Sequence, residues 1–203
     1  MIRIHKIIYD NLLNEDKGTN TRDKTRPCTR AANIVKEKFF KCLPIVGAIP
    51  GVEIGDKFNN RTELSLIGLH LPKQPGIASN STTNNKCEFR ICVSIVASEN
   101  DYENDMKDPN YLVYSGHGGL IKKNKGEGKD QKLKGGNLTL ANSKIQKNEV
   151  RVIRGRMENG KNVYIYYGLY VVEDWYKTRG KSGNLIYKFC LKRIPGQPPI
   201  QNA

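Results

Sequence analysis

An α+β fold, a twisted sheet or partly closed barrel entered from a helical extension, is the class this 203-residue sequence predicts. Three observations carry that expectation. Near the start, apolar residues recur at helical spacing. At Pro44 to Gly55 the texture changes to Pro, Gly and β-branched residues. Beyond that point short β-like runs alternate with turn signals.

Ile4, Ile7, Ile8 and Leu12 follow an i, i+3, i+4, i+8 pattern, which predicts an amphipathic helix over residues 2–14 that needs a partner for its stripe. A polar link, Asn14 to Arg26, leads to a second helix expected over Thr29 to Phe40. Its apolar face is Ala31, Ala32, Ile34, Val35, Phe39 and Phe40. The two are expected to pair as an N-terminal helical hairpin. The domain boundary falls near residue 44, giving a helical extension over 1–43, a β-rich domain over 44–200 and a short tail over 201–203. Strands are expected at Leu64 to Leu69, Ile91 to Ala97, Tyr111 to Tyr114, Val150 to Arg154, Val163 to Val172 and Leu185 to Leu191. Three segments interrupt them: Pro72 to Lys86, Asn100 to Asn110 and Leu120 to Gly136. Long loops in a compact domain tend to carry function.

Thirty-four Lys and Arg against 20 Asp and Glu leave a net charge of +14, which points to a polyanionic partner such as nucleic acid. Charge of this kind supplies affinity without sequence choice. No apolar run is long enough for a membrane span or a signal-peptide core, so a soluble, intracellular protein with no membrane partner is expected. The five cysteines, Cys28, Cys42, Cys87, Cys92 and Cys190, are odd in number and form no Cys-x-x-Cys pair. Neither a disulfide framework nor a zinc site is therefore expected. With three histidines and no His-Glu-x-x-His, Gly-x-Ser-x-Gly or P-loop pattern, metalloprotease, hydrolase and nucleotide-binding signatures are missing. No cofactor and no metal are expected.

The most informative stretch is Tyr102-Glu-Asn-Asp105 followed by Tyr114-Ser-Gly-His-Gly-Gly119. Two aromatic faces and a carboxylate beside a glycine loop are the parts needed to hold and read a flipped nucleobase.

Several separated motifs, in order, resemble the SRA domain, the SET- and RING-associated module also called YDG. They are Ile49-Pro-Gly-Val-Glu-Ile-Gly-Asp56, Gly68-Leu-His-Leu-Pro72 with Gly76-Ile77, the stretch Tyr102 to Gly119, Asp130-Gln-Lys-Leu133 with Gly136-Asn137, Val150-Arg-Val-Ile-Arg154, Gly168-Leu-Tyr170 and Ile194-Pro-Gly-Gln197. The resemblance covers roughly residues 44 to 200 and is strongest toward the plant histone-lysine methyltransferases of the suppressor-of-variegation type, whose helical lead-in the two N-terminal helices also resemble. It implies a PUA-like twisted β-barrel with flanking helices that binds double-stranded DNA and flips 5-methylcytosine into a pocket, on chromatin in the nucleus. By position, Tyr102 and Tyr114 match the aromatic walls, Asp105 the carboxylate that reads the base and Ser115 the adjacent hydroxyl. Gln74 matches the thumb-loop residue that fills the vacated space. The lysine-rich loop with Lys122, Lys123, Lys125 and Lys129 takes the place of the finger loop along the DNA backbone.

The physics agrees with that reading. Stacking contributes about 1 to 3 kcal/mol per base, so two rings offset much of the cost of unstacking. A carboxylate accepts hydrogen bonds and so favours the cytosine N4 amino group over the thymine O4. One buried methyl adds roughly 0.8 kcal/mol, about a fourfold preference, so selectivity for the methylated base is expected to be modest.

Two departures from the family pattern stand out. Its Tyr-Asp-Gly signature reads Tyr166-Tyr-Gly168, and the residues before the pocket are Glu99, Asn100 and Asp101 where relatives carry small glycines. The cysteine-rich and SET segments of the plant relatives and the RING motif of the animal ones are absent, so a non-catalytic reader is expected. Three alternatives stay open: a degenerate module that binds DNA non-specifically, an interaction module, or the N-terminal part of a histone-lysine methyltransferase. Homodimer formation through the N-terminal helices is also left open.

Overall fold

The structure, a computed structural model, describes residues 2–18, 27–39, 44–80, 89–98, 104–119 and 129–200. Two helices, α1 (Ile2–Gly18) and α2 (Pro27–Phe39), come first. They pack together as expected: Ile8 sits against Ala32 and Val35, and Arg30 pairs with Asp16 at 2.8 Å. Ile7, by contrast, stays 61% exposed, so only part of the α1 stripe is used.

Next come β1 (Lys57–Phe58) and α3 (Arg61–Leu66). The apolar run predicts a strand over Leu64 to Leu69, and its first half is helix instead. The reason is local: the Asn60 side chain accepts from the Glu63 backbone N–H at 3.0 Å, and the Glu63 carboxylate accepts from Asn59 N at 2.8 Å. This reciprocal cap starts a helix whatever the apolar pattern behind it. Leu66 of α3 then closes the small cluster with Ile8, Ala32 and Val35 that joins the N-terminal helices to the rest.

The remaining elements are β2 (Ile77–Ser79), β3 (Cys92–Ser98), β4 (Asp105–Asp108), β5 (Tyr111–Ser115), α4 (Gly136–Gln146), β6 (Val150–Glu158), β7 (Lys161–Arg179) and β8 (Leu185–Arg193). The eight strands form one mixed sheet in the order β2-β3-β6-β7-β8-β5-β4, with β1 added on β7. Only β3 and β6 pair in parallel. The fold is α+β as expected, but the sheet stays open at β2 and β4 rather than closing into a barrel. Both edge strands are short and irregular, which blunts further pairing.

One face of the sheet carries the main core, where Leu140 of α4 meets Ile95, Leu112, Tyr114, Val152, Tyr170 and Phe189. A second core under α3 holds Phe58, Leu64, Leu69, Val96, Ile153 and Tyr166. Arg151 crosses that layer almost fully buried. Its donors are satisfied by the carbonyls of Leu69, Ile45 and Gly47, at 3.0, 2.8 and 2.6 Å, which fastens the entry segment to β6.

Candidate nucleic-acid interface

Of the expected pocket residues, Asp105, Tyr114 and Ser115 lie on the paired strands β4 and β5, and strand alternation decides which way each points. Asp105 lies directly across from Val113, so its side chain emerges on the face shared by Val113 and Ser115. Tyr114 emerges on the opposite, core face with Leu112, across from Phe189. Asp105 is exposed, whereas Tyr114 is 1% exposed. Tyr102 and its neighbours Glu99 to Glu103 lie outside the described residues, as do Lys122, Lys123 and Lys125.

Asn104, inside the Tyr102-Glu-Asn-Asp105 stretch but given no role there, is tied into the sheet through both ends of its amide. Asn104 donates from Nδ2 to the Ser98 carbonyl at 3.2 Å, and its Oδ1 accepts from the Ser115 backbone N–H at 2.8 Å. One amide thus joins the end of β3, the start of β4 and the end of β5. Ser115 is buried, and its hydroxyl accepts from Lys188 Nζ at 2.8 Å on the neighbouring strand.

The glycine loop after Ser115 is gripped from below. Gln131 Nε2 donates to the carbonyls of Gly116 at 2.6 Å and Gly118 at 3.1 Å, while its Oε1 accepts from Tyr187 N at 2.8 Å. Asn137 holds the next residue on both sides, accepting from His117 N at 2.7 Å and donating to His117 O at 3.0 Å. A side chain at Gly116 would meet Asn137 Oδ1 at 2.7 Å and Gln131 Oε1 at 2.8 Å, so this approach requires glycine. Through these contacts the Asp130-Gln-Lys-Leu133 and Gly136-Asn137 motifs act together to shape the loop beside Tyr114. The sequence marks both motifs, but their joint role depends on a meeting that only the folded chain brings about. Lys129 is exposed two residues before Gln131.

The segment carrying Gln74 is held by its main chain. Arg61 donates to the carbonyls of Gln74 at 2.7 Å and Pro75 at 2.8 Å, and His70 Nε2 lies 2.9 Å from Pro75 O. Since that carbonyl can only accept, Nε2 carries the proton and Nδ1 accepts from the Ser94 hydroxyl at 2.9 Å. Burial drives the His70 pKa down to about 3, so the ring is neutral. Gln74 itself is exposed at the tip. Two residues on, a side chain at Gly76 would meet Tyr114 Oη at 2.8 Å and His117 Nε2 at 3.0 Å, which places the segment bearing Gln74 against the Tyr114 ring's polar end. Tyr114 Oη and His117 Nε2 share a hydrogen bond of 3.1 Å, and burial, with Arg61 nearby, lowers the His117 pKa.

Among the described residues, no group of three or more His, Cys, Asp or Glu is placed to hold a metal ion. The Cys92 thiol is pushed up to about 12 by burial, which makes it inert.

The model of the SAD/SRA domain matches residues 45–197. The chain belongs to the SAD/SRA domain family. Its relatives include plant proteins. It is 41% identical over 182 residues to SUVH5, an H3 lysine-9 specific histone-lysine N-methyltransferase of Arabidopsis thaliana, covering 84% of this chain and 22% of that protein. A YDG domain-containing protein of the same plant is 38% identical over 208 residues, covering 98% of this chain and 62% of its own length. The chain thus spans less than two thirds of these relatives. Among solved structures, the SUVH5 SRA domain in complex with fully methylated CG DNA is 42% identical with a TM-score of 0.66, covering 77% of this chain and 99% of that one. KRYPTONITE in complex with mCHH DNA, an H3(1-15) peptide and SAH is 32% identical with a TM-score of 0.81, covering 99% and 43%. With 32% identity over nearly the whole chain, the N-terminal helices fall within the second match. The SRA fold in this chain therefore carries Asp105 on β4, Tyr114 and Ser115 on β5, and the glycine run in the segment that follows.

Proposed function

We propose that this SRA chain is a non-catalytic reader of DNA containing 5-methylcytosine, and that it reads the base by flipping it out of the duplex. The observation that carries the reading is the end of β5. There Asp105 and the Ser115 hydroxyl share one face of the paired strands, while Tyr114 on the other lies against Gly76, two residues after Gln74. The solved relatives that bind methylated CG and methylated CHH DNA support it. In this reading Tyr102 and Tyr114 are the aromatic walls, Asp105 accepts from the cytosine N4 amino group, Ser115 lines the pocket and Gln74 enters the vacated space. Lys122, Lys123, Lys125 and Lys129 follow the phosphate backbone. Tyr114 is built into the core with its hydroxyl against Gly76, so a base gains its ring face only as the packing around the ring gives way. The boundary between the N-terminal extension, 1–43, and the SRA domain is proposed near residue 44, and a nuclear, chromatin-associated protein follows from the ligand.

The test is affinity for matched unmodified, hemimethylated and fully methylated duplexes across a salt series. A modest methyl preference that persists at each salt, and that is lost in Tyr102→Ala, is expected. A steep salt dependence with no methyl difference would sink the reading in favour of a purely electrostatic binder, the alternative that the +14 charge favours.

A further inference from the structure

We infer that Arg154, stacked on Tyr167, is the positioning residue for β4 and hence for the Asp105 carboxylate, an inference that rests on the reading of Asp105 as a base contact. β4 is an edge strand of four residues whose pairing to β5 covers Asp105 with Val113 and Asp108 with Tyr111, with an irregularity between. A strand so short and paired on one side needs another support. Arg154 provides it from β6. Its Nη1 donates to the Met106 carbonyl at 2.5 Å and its Nη2 to the Asp108 carbonyl at 3.0 Å, so a single rigid fork fixes both ends of the irregular stretch. Tyr170 adds a hydrogen bond from its hydroxyl to the Pro109 carbonyl at the following turn.

What aims the fork is Tyr167. In the β6–β7 ladder Ile153 pairs with Tyr166 and Val152 with Gly168, so Tyr167 is the extra residue of a bulge. Bulges re-aim side chains, and here the ring lies with its centroid 4.4 Å from the guanidinium carbon. Both residues are buried, at 7% and 3% exposed. Arg154 Nε is buried with no hydrogen-bond partner among the described residues, a costly state for a charged group. The Tyr167 ring face meets the guanidinium itself and leaves Nε without an acceptor. Tyr167 occupies the signature position that resemblance fills with an acid, and a carboxylate there would complete the guanidinium's hydrogen bonds while keeping its aim. The tyrosine keeps the aim by stacking alone.

The experiment compares Tyr167→Phe, Tyr167→Asp, Tyr167→Leu and Arg154→Lys in the full chain. Two readouts are used: amide exchange of Met106 to Asp108, and discrimination between cytosine and thymine at the target position at fixed salt. Phe, which keeps the ring, and Asp, which supplies the acceptor, are expected to retain wild-type protection. Leu, which fills space without holding the cation, is expected to lower protection about tenfold, the scale of one hydrogen bond to a charged group. Arg154→Lys, which keeps a cation but not the fork, is expected to do the same. Those losses are expected to reduce the discrimination between cytosine and thymine and leave the salt slope unchanged. If Leu matches Phe while Asp is the poorest of the three or fails to fold, Tyr167 is packing alone and the inference is wrong. The exchange readout needs no DNA. If it follows the expected order but the wild type shows no such discrimination, the positioning role stands and the functional reading fails.

Discussion

The two faces of β5 make an instructive contrast. On one, Tyr114 is 1% exposed and packed among Ile77, Leu112, Leu140 and Phe189, so a residue proposed to meet the base is also part of the core. On the other, Asp105 is exposed and its only described hydrogen bond is a local one, from the Lys107 backbone N–H at 3.3 Å. The proposed contact at Tyr114 is thus coupled to folding, while that at Asp105 is nearly independent of it. Substitutions on the two faces are therefore expected to fail in different ways.

The largest effect is expected for Tyr114→Ala, which removes a buried aromatic ring and costs about 3 to 5 kcal/mol of stability. Chemical denaturation measures this directly. Lost DNA binding in that variant would then report unfolding as much as a missing wall. Tyr114→Phe is the cleaner probe, since it keeps the ring and removes the contact with His117 and Gly76. A loss below about 1 kcal/mol for Tyr114→Ala would mean that the ring sits outside the core, and the contrast would collapse.

Asp105→Asn, on the open face, is expected to leave stability within about 0.5 kcal/mol of wild type. It should instead remove about 1 to 3 kcal/mol of discrimination between cytosine and thymine at the target position, measured with matched duplexes. A variant that unfolds or one that still discriminates would break the comparison from the other side.

The support beneath the thumb segment gives a pH signature. His70 in the unfolded chain takes up a proton near its ordinary 6.5, whereas the folded, buried ring resists until about 3. Between those values the unfolded state binds more protons, so stability is full above about pH 6.5 and is lost as pH falls toward 3. The slope is at most about 1.4 kcal/mol per pH unit. His117, also lowered by burial, adds in the same direction. A fall of about 1 to 2 kcal/mol between pH 7 and pH 5 is expected, and His70→Gln should flatten it. A flat wild-type profile would show that His70 can be protonated in place.

What the sequence makes legible follows from how much each element depends on its own residues. The cores of β3, β5, β6, β7 and β8 are rich in Val, Ile and Tyr, and they lie where those runs predict them. β4 reads Asp-Met-Lys-Asp, with no apolar alternation to mark it, and exists because β5 and Arg154 hold it. α4 is silent in the sequence because its buried stripe is small and polar, with Asn137, Thr139 and Ser143 beside Leu140 and Ala141. Asp105, Tyr114 and Ser115 are legible as chemistry in a motif, since their spacing survives in sequence. Asn104, Arg61, Lys188 and Arg154 are not, because each acts across 11 to 73 residues of chain through a main-chain or hydroxyl partner that no local pattern records. The alternation that puts Tyr114 and Asp105 on opposite faces also needs the register of β4 against β5, which an irregular strand does not announce.

The smallest effect on stability, and the sharpest separation of tip from support, is expected at Gln74. Its side chain is exposed, while its carbonyl and that of Pro75 are fixed by Arg61. Gln74→Ala should change stability by less than about 0.5 kcal/mol and leave the thumb backbone in place. If the side chain fills the space left by the flipped base, its loss removes an interaction made only in the complex, so dissociation from methylated DNA should quicken while association stays unchanged. Arg61→Ala should act differently. It frees the Gln74 carbonyl and leaves that of Pro75 to His70 alone, loosens the segment resting on Tyr114 through Gly76, and is expected to slow association as well, because the thumb is no longer preorganised. Equal kinetic signatures for Gln74→Ala and Arg61→Ala would mean that tip and support act as one unit. The side chain would then contribute nothing beyond the main chain that carries it.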